Sequence, residues 1–270
     1  NLRYPYEASS PWDEISLLKG SVIMALLTTE LLTKSFGSLQ AVSQVDLEIK
    51  EGKVYSIIGP NGAGKTTLFN LISGHLESTS GAVTFQGRVI SGLRPYQISH
   101  LGIGRSFQLN NLFPALNVFE NVRLAIQSRY PARFDLFKHV RSYKMIDEKA
   151  DAIVEKIGLS RFINKEVQYL SHGDKRLLEV GIALATDPVL ILMDEPTSGM
   201  APDETAMMIE FIKGLARELT IILIEHKMNV VMSISDRLIV MHQGMVISRG
   251  DPAEVQADPK VKRAYLGGIE

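Results

Sequence analysis

Nothing constrains this chain more than the run from Gly59 to Thr67, which reads GPNGAGKTT. It follows the apolar residues 54–58 and precedes Leu68, Phe69, Leu71 and Ile72, which recur at helical spacing. A G-x-x-x-x-G-K-[ST] pattern between a strand and a helix makes a loop whose backbone N–H groups converge on phosphate oxygens. The positive end of the following helix dipole stands behind them. Gly59, Pro60, Asn61, Gly62, Ala63 and Gly64 form the cradle; Lys65 is expected to reach β- and γ-phosphates, the Thr66 hydroxyl to bind Mg²⁺, and Thr67 to contact an α-phosphate. A glycine turn with an incidental lysine would give this string by chance about once in a hundred chains of this length. The flanking strand and helix lower that further.

The rest of the chain supplies an α/β frame for such a loop. Val45, Leu47 and Ile49 alternate with polar residues, and 54–58 reads as a buried parallel strand. Residues 82–90, with Gly87 and Arg88 at their centre, read as a hairpin at a sheet edge. From 117 to 158 the pattern is helical, opening on Asn117 and Glu120 at capping-box spacing. A further helix is expected over 173–185, then strands at 189–193, 221–224 and 238–241, with a turn at Gln243 and Gly244 into 246–248. That alternation predicts an α/β core with a mostly parallel sheet, an antiparallel β edge and an inserted helical block at about 109–186. Residues 251–263 read as a solvated helix and short tail. Residues 1–23 have no period and mix Pro, Ser, Trp and acids, so they read as an appendage, with Met24 opening the core domain 24–270.

Composition narrows the partners. A hydrophobic share of 45% and a charged share of 22% suit a chain that folds on its own. A formal net charge of −1 provides no global basic field, which disfavours nucleic acid as a partner. With no cysteine, disulfides and thiolate metal sites are excluded, which fits a reducing compartment. The apolar stretch 15–27 is interrupted by Lys19 and Gly20 and falls short of the roughly 20 residues of a spanning helix. It also lacks the basic start and small-residue cleavage site of a signal peptide. Membrane contact is therefore expected through partners.

A second chemical feature stands at Asp194, Glu195 and Pro196, which end the apolar run 189–193. A carboxylate at the C-terminal end of a parallel strand faces the crevice where ligands sit. Asp194 is the expected Mg²⁺ partner, directly or through water, and Glu195 would polarise the attacking water as a general base. Taken alone, such a turn caps a helix about one time in ten. Beside the phosphate loop that reading loses force.

With the loop, Gln108 in RSFQ, Tyr169 to Arg176 (YLSHGDKR), ILMDEP, Ser198 to Ala201 (SGMA) and His226 in IEHK in this order, the chain resembles the ATPase subunits of ABC transporters over residues 26–268. The resemblance implies a P-loop NTPase fold with Mg-ATP as the substrate. Phe36, in TKSFGS, looks like the aromatic that stacks on adenine. Gln108 resembles the glutamine that touches Mg²⁺ and the attacking water, on a loop facing the membrane partner. His226 resembles the histidine that contacts the γ-phosphate. Ser171, His172 and Gly173 resemble the signature motif that closes over ATP held by the opposite subunit, an anion site made of a hydroxyl and a helix N-terminus. Alone, Phe36 would be a core aromatic, His226 a hydrogen-bonded structural residue and Gln108 a solvated side chain. The resemblance further implies a second ATPase subunit, two membrane-spanning permease subunits, a solute-binding protein reached through them, and a peripheral place on the cytoplasmic face of the inner membrane.

Two departures refine it. LSHGD replaces the commoner LSGGQ, and with KRLLEVGIALATDP it is similar to the hydrophobic amino-acid uptake branch, including branched-chain importers and their urea or amide relatives. Ala201 stands where many members carry aspartate, with Asp203 and Glu204 nearby. Homodimer and heterodimer both fit. Other readings are a lipid or polysaccharide exporter, a soluble non-transport ATPase, for which coiled-coil insertion and tandem cassettes are missing, and a switch that clamps ATP without turning it over, against which Glu195 and His226 argue.

Overall fold

The computed structural model describes residues 25–106, 112–129 and 140–266; Gln108, residues 1–23 and Met24 lie outside the described residues. In chain order the elements are β1 Leu27–Phe36, β2 Leu39–Ile49, β3 Val54–Ile58, α1 Lys65–Ile72, β4 Ser80–Phe85, β5 Arg88–Val89, α2 Pro95–His100 and β6 Ile103–Ser106. Then follow α3 Val118–Gln127, α4 Val140–Lys156, α5 His172–Leu184, β7 Leu190–Asp194, α6 Pro202–Leu215, β8 Thr220–Ile224, α7 Met228–Ile234, β9 Arg237–His242, β10 Met245–Gly250, α8 Pro252–Ala257 and α9 Pro259–Leu266.

The strands form two sheets. The larger runs β10-β9-β3-β8-β7-β6, parallel throughout except for β10, which pairs antiparallel with β9 at one edge. The smaller runs β2-β1-β4-β5 and is antiparallel. The expected hairpin at 82–90 is present, with β5 outermost, but its edge belongs to this second sheet, which long-range pairing of β1 with β4 creates. Its turn is Gln86 and Gly87, at φ 49° and 76°, and the β9–β10 turn repeats the device with Gln243 and Gly244 at 47° and 79°. Two consecutive left-handed residues match the twist of the flanking strands.

Strands β3, β7 and β8 are buried at every position, as a parallel sheet covered on both faces requires. Alternation divides their side chains between two cores. Leu190, Leu192, Ile222 and Ile224 join α1 and the antiparallel sheet. Ile191, Met193, Ile221 and Leu223 join residues of α3 to α7. The parity of each strand therefore decides which side its C-terminal residue serves.

Helix α3 opens on Asn117, whose Oδ1 accepts the Glu120 N–H at 2.8 Å, the half of the expected capping box that this helix uses. The Glu120 carboxylate meets Arg123 at 3.7 Å. The C-terminal stretch departs from a single solvated helix. It breaks into α8 and α9 at Asp258–Pro259, because proline cannot continue the ladder, and Val255 and Val261 are buried beside Ile58, Val231 and Val240.

Candidate active site

The phosphate loop leaves β3 and turns into α1 on two glycines that no other residue could replace. Gly59 has φ 151° and Gly64 φ 97°; a Cβ on them would stand 2.1 Å from the Met241 carbonyl and 2.3 Å from the Ala41 carbonyl. L-residues rarely adopt these angles. The loop is braced from outside, since Gly244 N–H donates to the Ala63 carbonyl at 3.0 Å and Ser43 N–H to the Gly244 carbonyl at 2.8 Å. Thr66 and Thr67 sit in the first turn of α1, which carries no acidic residue, so the positive helix end is left uncompensated. Lys65 folds back over the loop, its Nζ donating to the Gly59 and Pro60 carbonyls at 2.8 and 3.0 Å. Burial lowers its pKa, and the charges of Glu195 and Asp194 pull the other way.

Those charges come from the end of β7. Asp194 shares parity with Leu190 and Leu192, so it lies on the α1 side of the sheet. Burial raises its pKa, opposed by Arg105, whose guanidinium stands 3.8 Å from the carboxylate. Arg105, on β6, also donates to Asn70 Oδ1 of α1 and to Oγ of Ser73, which caps that helix, each at 2.7 Å. Glu195 adopts φ 49°, a left-handed kink held by its N–H on the Ile224 carbonyl at 2.9 Å. A non-glycine residue keeps such a conformation only where its surroundings impose it. Its Oε1 stands 3.6 Å from His226 Nδ1, with both side chains part-exposed.

The structure thus brings Lys65, Asp194, Glu195 and His226 together. Phe36 stands at the tip of the β1–β2 hairpin, exposed, with Lys34 Nζ 5.2 Å from its ring centre. Ser171 caps α5, its Oγ accepting the Asp174 N–H at 3.1 Å. Contacts of the signature segment run to the loop after β7 and to the first turn of α6. His172 Nε2 lies 3.0 Å from the Ser198 carbonyl, and a Cβ on Gly173 would meet Glu204 Oε1 at 2.7 Å. Glu204 accepts the Ala201 N–H at 3.1 Å, so the carboxylate near Ala201 caps α6.

Hard oxygen donors, Thr66 and Asp194, fit Mg²⁺. Among the described residues no group of three or more His, Asp or Glu side chains could hold a metal by itself.

Sequence reasoning gave no role to Arg105, Glu225, Arg176 or Glu179. The Arg176–Glu179 pair, at 3.1 Å, is buried within α5, and burial pushes the Glu179 carboxyl up to about 7 against the pull of Arg176. For Arg105 and Glu179 the signal was a lone charge in a stretch otherwise without one.

Residues 42–198 match the family model described as ABC transporter, and residues 245–270 that described as branched-chain amino acid ATP-binding cassette transporter. The latter segment includes α9, whose Lys260 and Arg263 wall a cavity of about 630 Å³ against Asn61 and Gly62 of the phosphate loop. The chain is 38% identical over 251 residues to the high-affinity branched-chain amino acid transport ATP-binding protein LivG of Salmonella typhimurium, covering 90% of this chain and 98% of that one. It is 38% identical over 249 residues to BraF of Pseudomonas aeruginosa, a protein of the same description, with the same coverage. Among solved structures, the ADP conformation of an ATP-binding cassette of an ABC transporter superposes with a TM-score of 0.78 at 33% identity, over 90% of this chain and 99% of that one. A dimeric cassette bound to ADP and Pi gives 0.71 at 27%, over 84% and 98%. With its fold, its phosphate loop and these relatives in agreement, the chain belongs to the ATP-hydrolysing cassettes of ABC transporters, in the branch that contains LivG and BraF.

Proposed function

We propose that the chain powers uptake of branched-chain or other hydrophobic amino acids by hydrolysing Mg-ATP held between two ATPase subunits. Cassettes of this family work as dimers with membrane permease components. For this chain we assign a second ATPase subunit, identical or related, two membrane-spanning permease subunits, and a solute-binding protein acting through them. Residues 24–270 form the cassette, with the helical block 109–186 inserted. No helix among the described residues is long and apolar enough to cross a membrane. We place the chain on the cytoplasmic face, held by its permease partners.

In this reading Phe36 stacks on adenine, and the amides of residues 59–64 with Thr67 take the phosphates. Lys65 exchanges its two carbonyl partners for β- and γ-phosphate oxygens. Thr66, Asp194 and Gln108 hold Mg²⁺, which when bound neutralises charge on the phosphates. Glu195 accepts the proton of the attacking water while His226 contacts the γ-phosphate, and their 3.6 Å separation lets both act on one oxygen region. Ser171, His172 and Gly173 of the opposite subunit seal the site, so closure depends on the γ-phosphate.

The observation that carries the reading is the meeting of Lys65, Asp194, Glu195 and His226 at the C-terminal ends of β3, β7 and β8, the crevice where α/β sheets bind ligands. The test is uptake of labelled leucine, isoleucine, valine and urea by the assembled complex. Leucine-type uptake is expected, and a Glu195→Gln variant should retain ATP binding while losing turnover by on the order of a hundredfold or more. Uptake of urea alone, or unaltered hydrolysis in that variant, would refute it.

A further inference from the structure

Glu225 directly follows β8 and is wholly buried, at 0% exposure, although it carries a carboxyl group and stands one residue before His226. Its parity with Ile221 and Leu223 turns it toward the loop after β7. There its two oxygens divide the work. Oε1 accepts from Thr197, the N–H at 3.2 Å and the hydroxyl at 2.5 Å. Oε2 accepts the N–H groups of His226 at 3.0 Å and Lys227 at 3.3 Å. Lys227 closes the circuit by donating its Nζ to the Thr197 carbonyl at 2.8 Å. One carboxylate therefore holds two loops: the first carries Glu195, two residues before Thr197, and the second carries His226. Thr197 is itself fully buried.

Glu195 and His226 have part-exposed side chains, so their 3.6 Å spacing must be set by the backbones beneath them. We infer that Glu225 is a positioning residue for hydrolysis: it touches no substrate, yet fixes the loop of Glu195 against the loop of His226. This rests on the roles given to those two residues above. All four of its partners donate, and only a group with two accepting oxygens serves both loops. A glutamine of the same shape would turn its NH₂ against the donors of one loop and free it. Misplacing reacting groups by about 1 Å is enough to lose on the order of a hundredfold in rate.

The test compares Glu225→Gln with the wild type in the assembled complex, measuring kcat and KM for ATP, affinity for a fluorescent ADP analogue, and thermal unfolding. We expect kcat to fall by on the order of tenfold to a hundredfold, with KM, ADP affinity and fold retained. Thr197→Val should fall in the same way and Thr197→Ser, which keeps the hydroxyl, should recover most of the rate; these two decide the matter if Glu225→Gln does not fold. Combining Thr197→Val with Glu225→Gln should cost little more than either alone, since both cut one link. Turnover of Glu225→Gln within about twofold of wild type, or a parallel loss of ADP affinity, would overturn the proposal. Glu195→Gln run alongside keeps the cases apart: if it hydrolyses normally, the site reading fails, whatever Glu225 does.

Discussion

At the scale of single residues, the strand ends and α5 carry buried charged side chains, each met by named partners. Asp194 has Arg105, Glu225 has four donors, and Glu179 has Arg176. The last arrangement has a consequence for pH. Because burial holds the Glu179 carboxyl up to about 7, the folded chain keeps a proton there that the unfolded chain releases in the ordinary carboxylate range. Its contribution to stability is therefore present at acid pH and drains away as pH rises toward 7. Denaturation midpoints between pH 5 and 8 should fall less steeply for Glu179→Gln than for wild type, even if the variant is weaker throughout through loss of the Arg176 contact. Parallel curves would contradict this. The position of Asp194 and Glu195 beside Lys65 was legible in the sequence, because an apolar run ending in two acids reads as a parallel strand opening on the crevice of the phosphate loop. Glu225 and Arg105 were not, because Thr197 for the one and Asn70 and Ser73 for the other lie at sequence distances that only the fold brings together.

At the scale of elements, local chemistry predicted local structure well. Residues 54–58, the helix after the phosphate loop and the turn at Gln243 and Gly244 appear where pattern and turn residues place them, while the first hairpin turns at Gln86 and Gly87, one residue before the expected centre, because Arg88 already pairs with Phe85. The separation of the antiparallel strands into their own sheet did not, since pairing of β1 with β4 is a long-range event that periodicity does not encode. The broken C-terminal helix was missed for another reason: two buried valines, 255 and 261, sit among charges that dominate the composition of that stretch. Helix caps belong to this scale too. Asn117 satisfies the Glu120 N–H at the start of α3, so Asn117→Ala should lower unfolding stability by about 1 kcal/mol, read as a shift in denaturant midpoint at constant slope. No shift would mean that the cap is redundant.

For the whole molecule, the sheet order is what turns scattered motifs into a site. β3 lies between β8 and β9, and β8 touches β7, so the phosphate loop, the β7 carboxylates and His226 emerge side by side. His172 meanwhile rests on the loop after β7 and Gly173 on Glu204 of α6, which links the signature segment to the end of β7 within one chain. A second subunit facing this surface would sense both. The whole site rests on the phosphate loop and its lysine. Affinity of a Lys65→Ala variant for a fluorescent ATP analogue, measured with its turnover, tests it most directly. Removing a charge-assisted contact worth roughly 1.5–3 kcal/mol should weaken binding by about tenfold to a hundredfold and abolish hydrolysis. Wild-type affinity and turnover in that variant would contradict it.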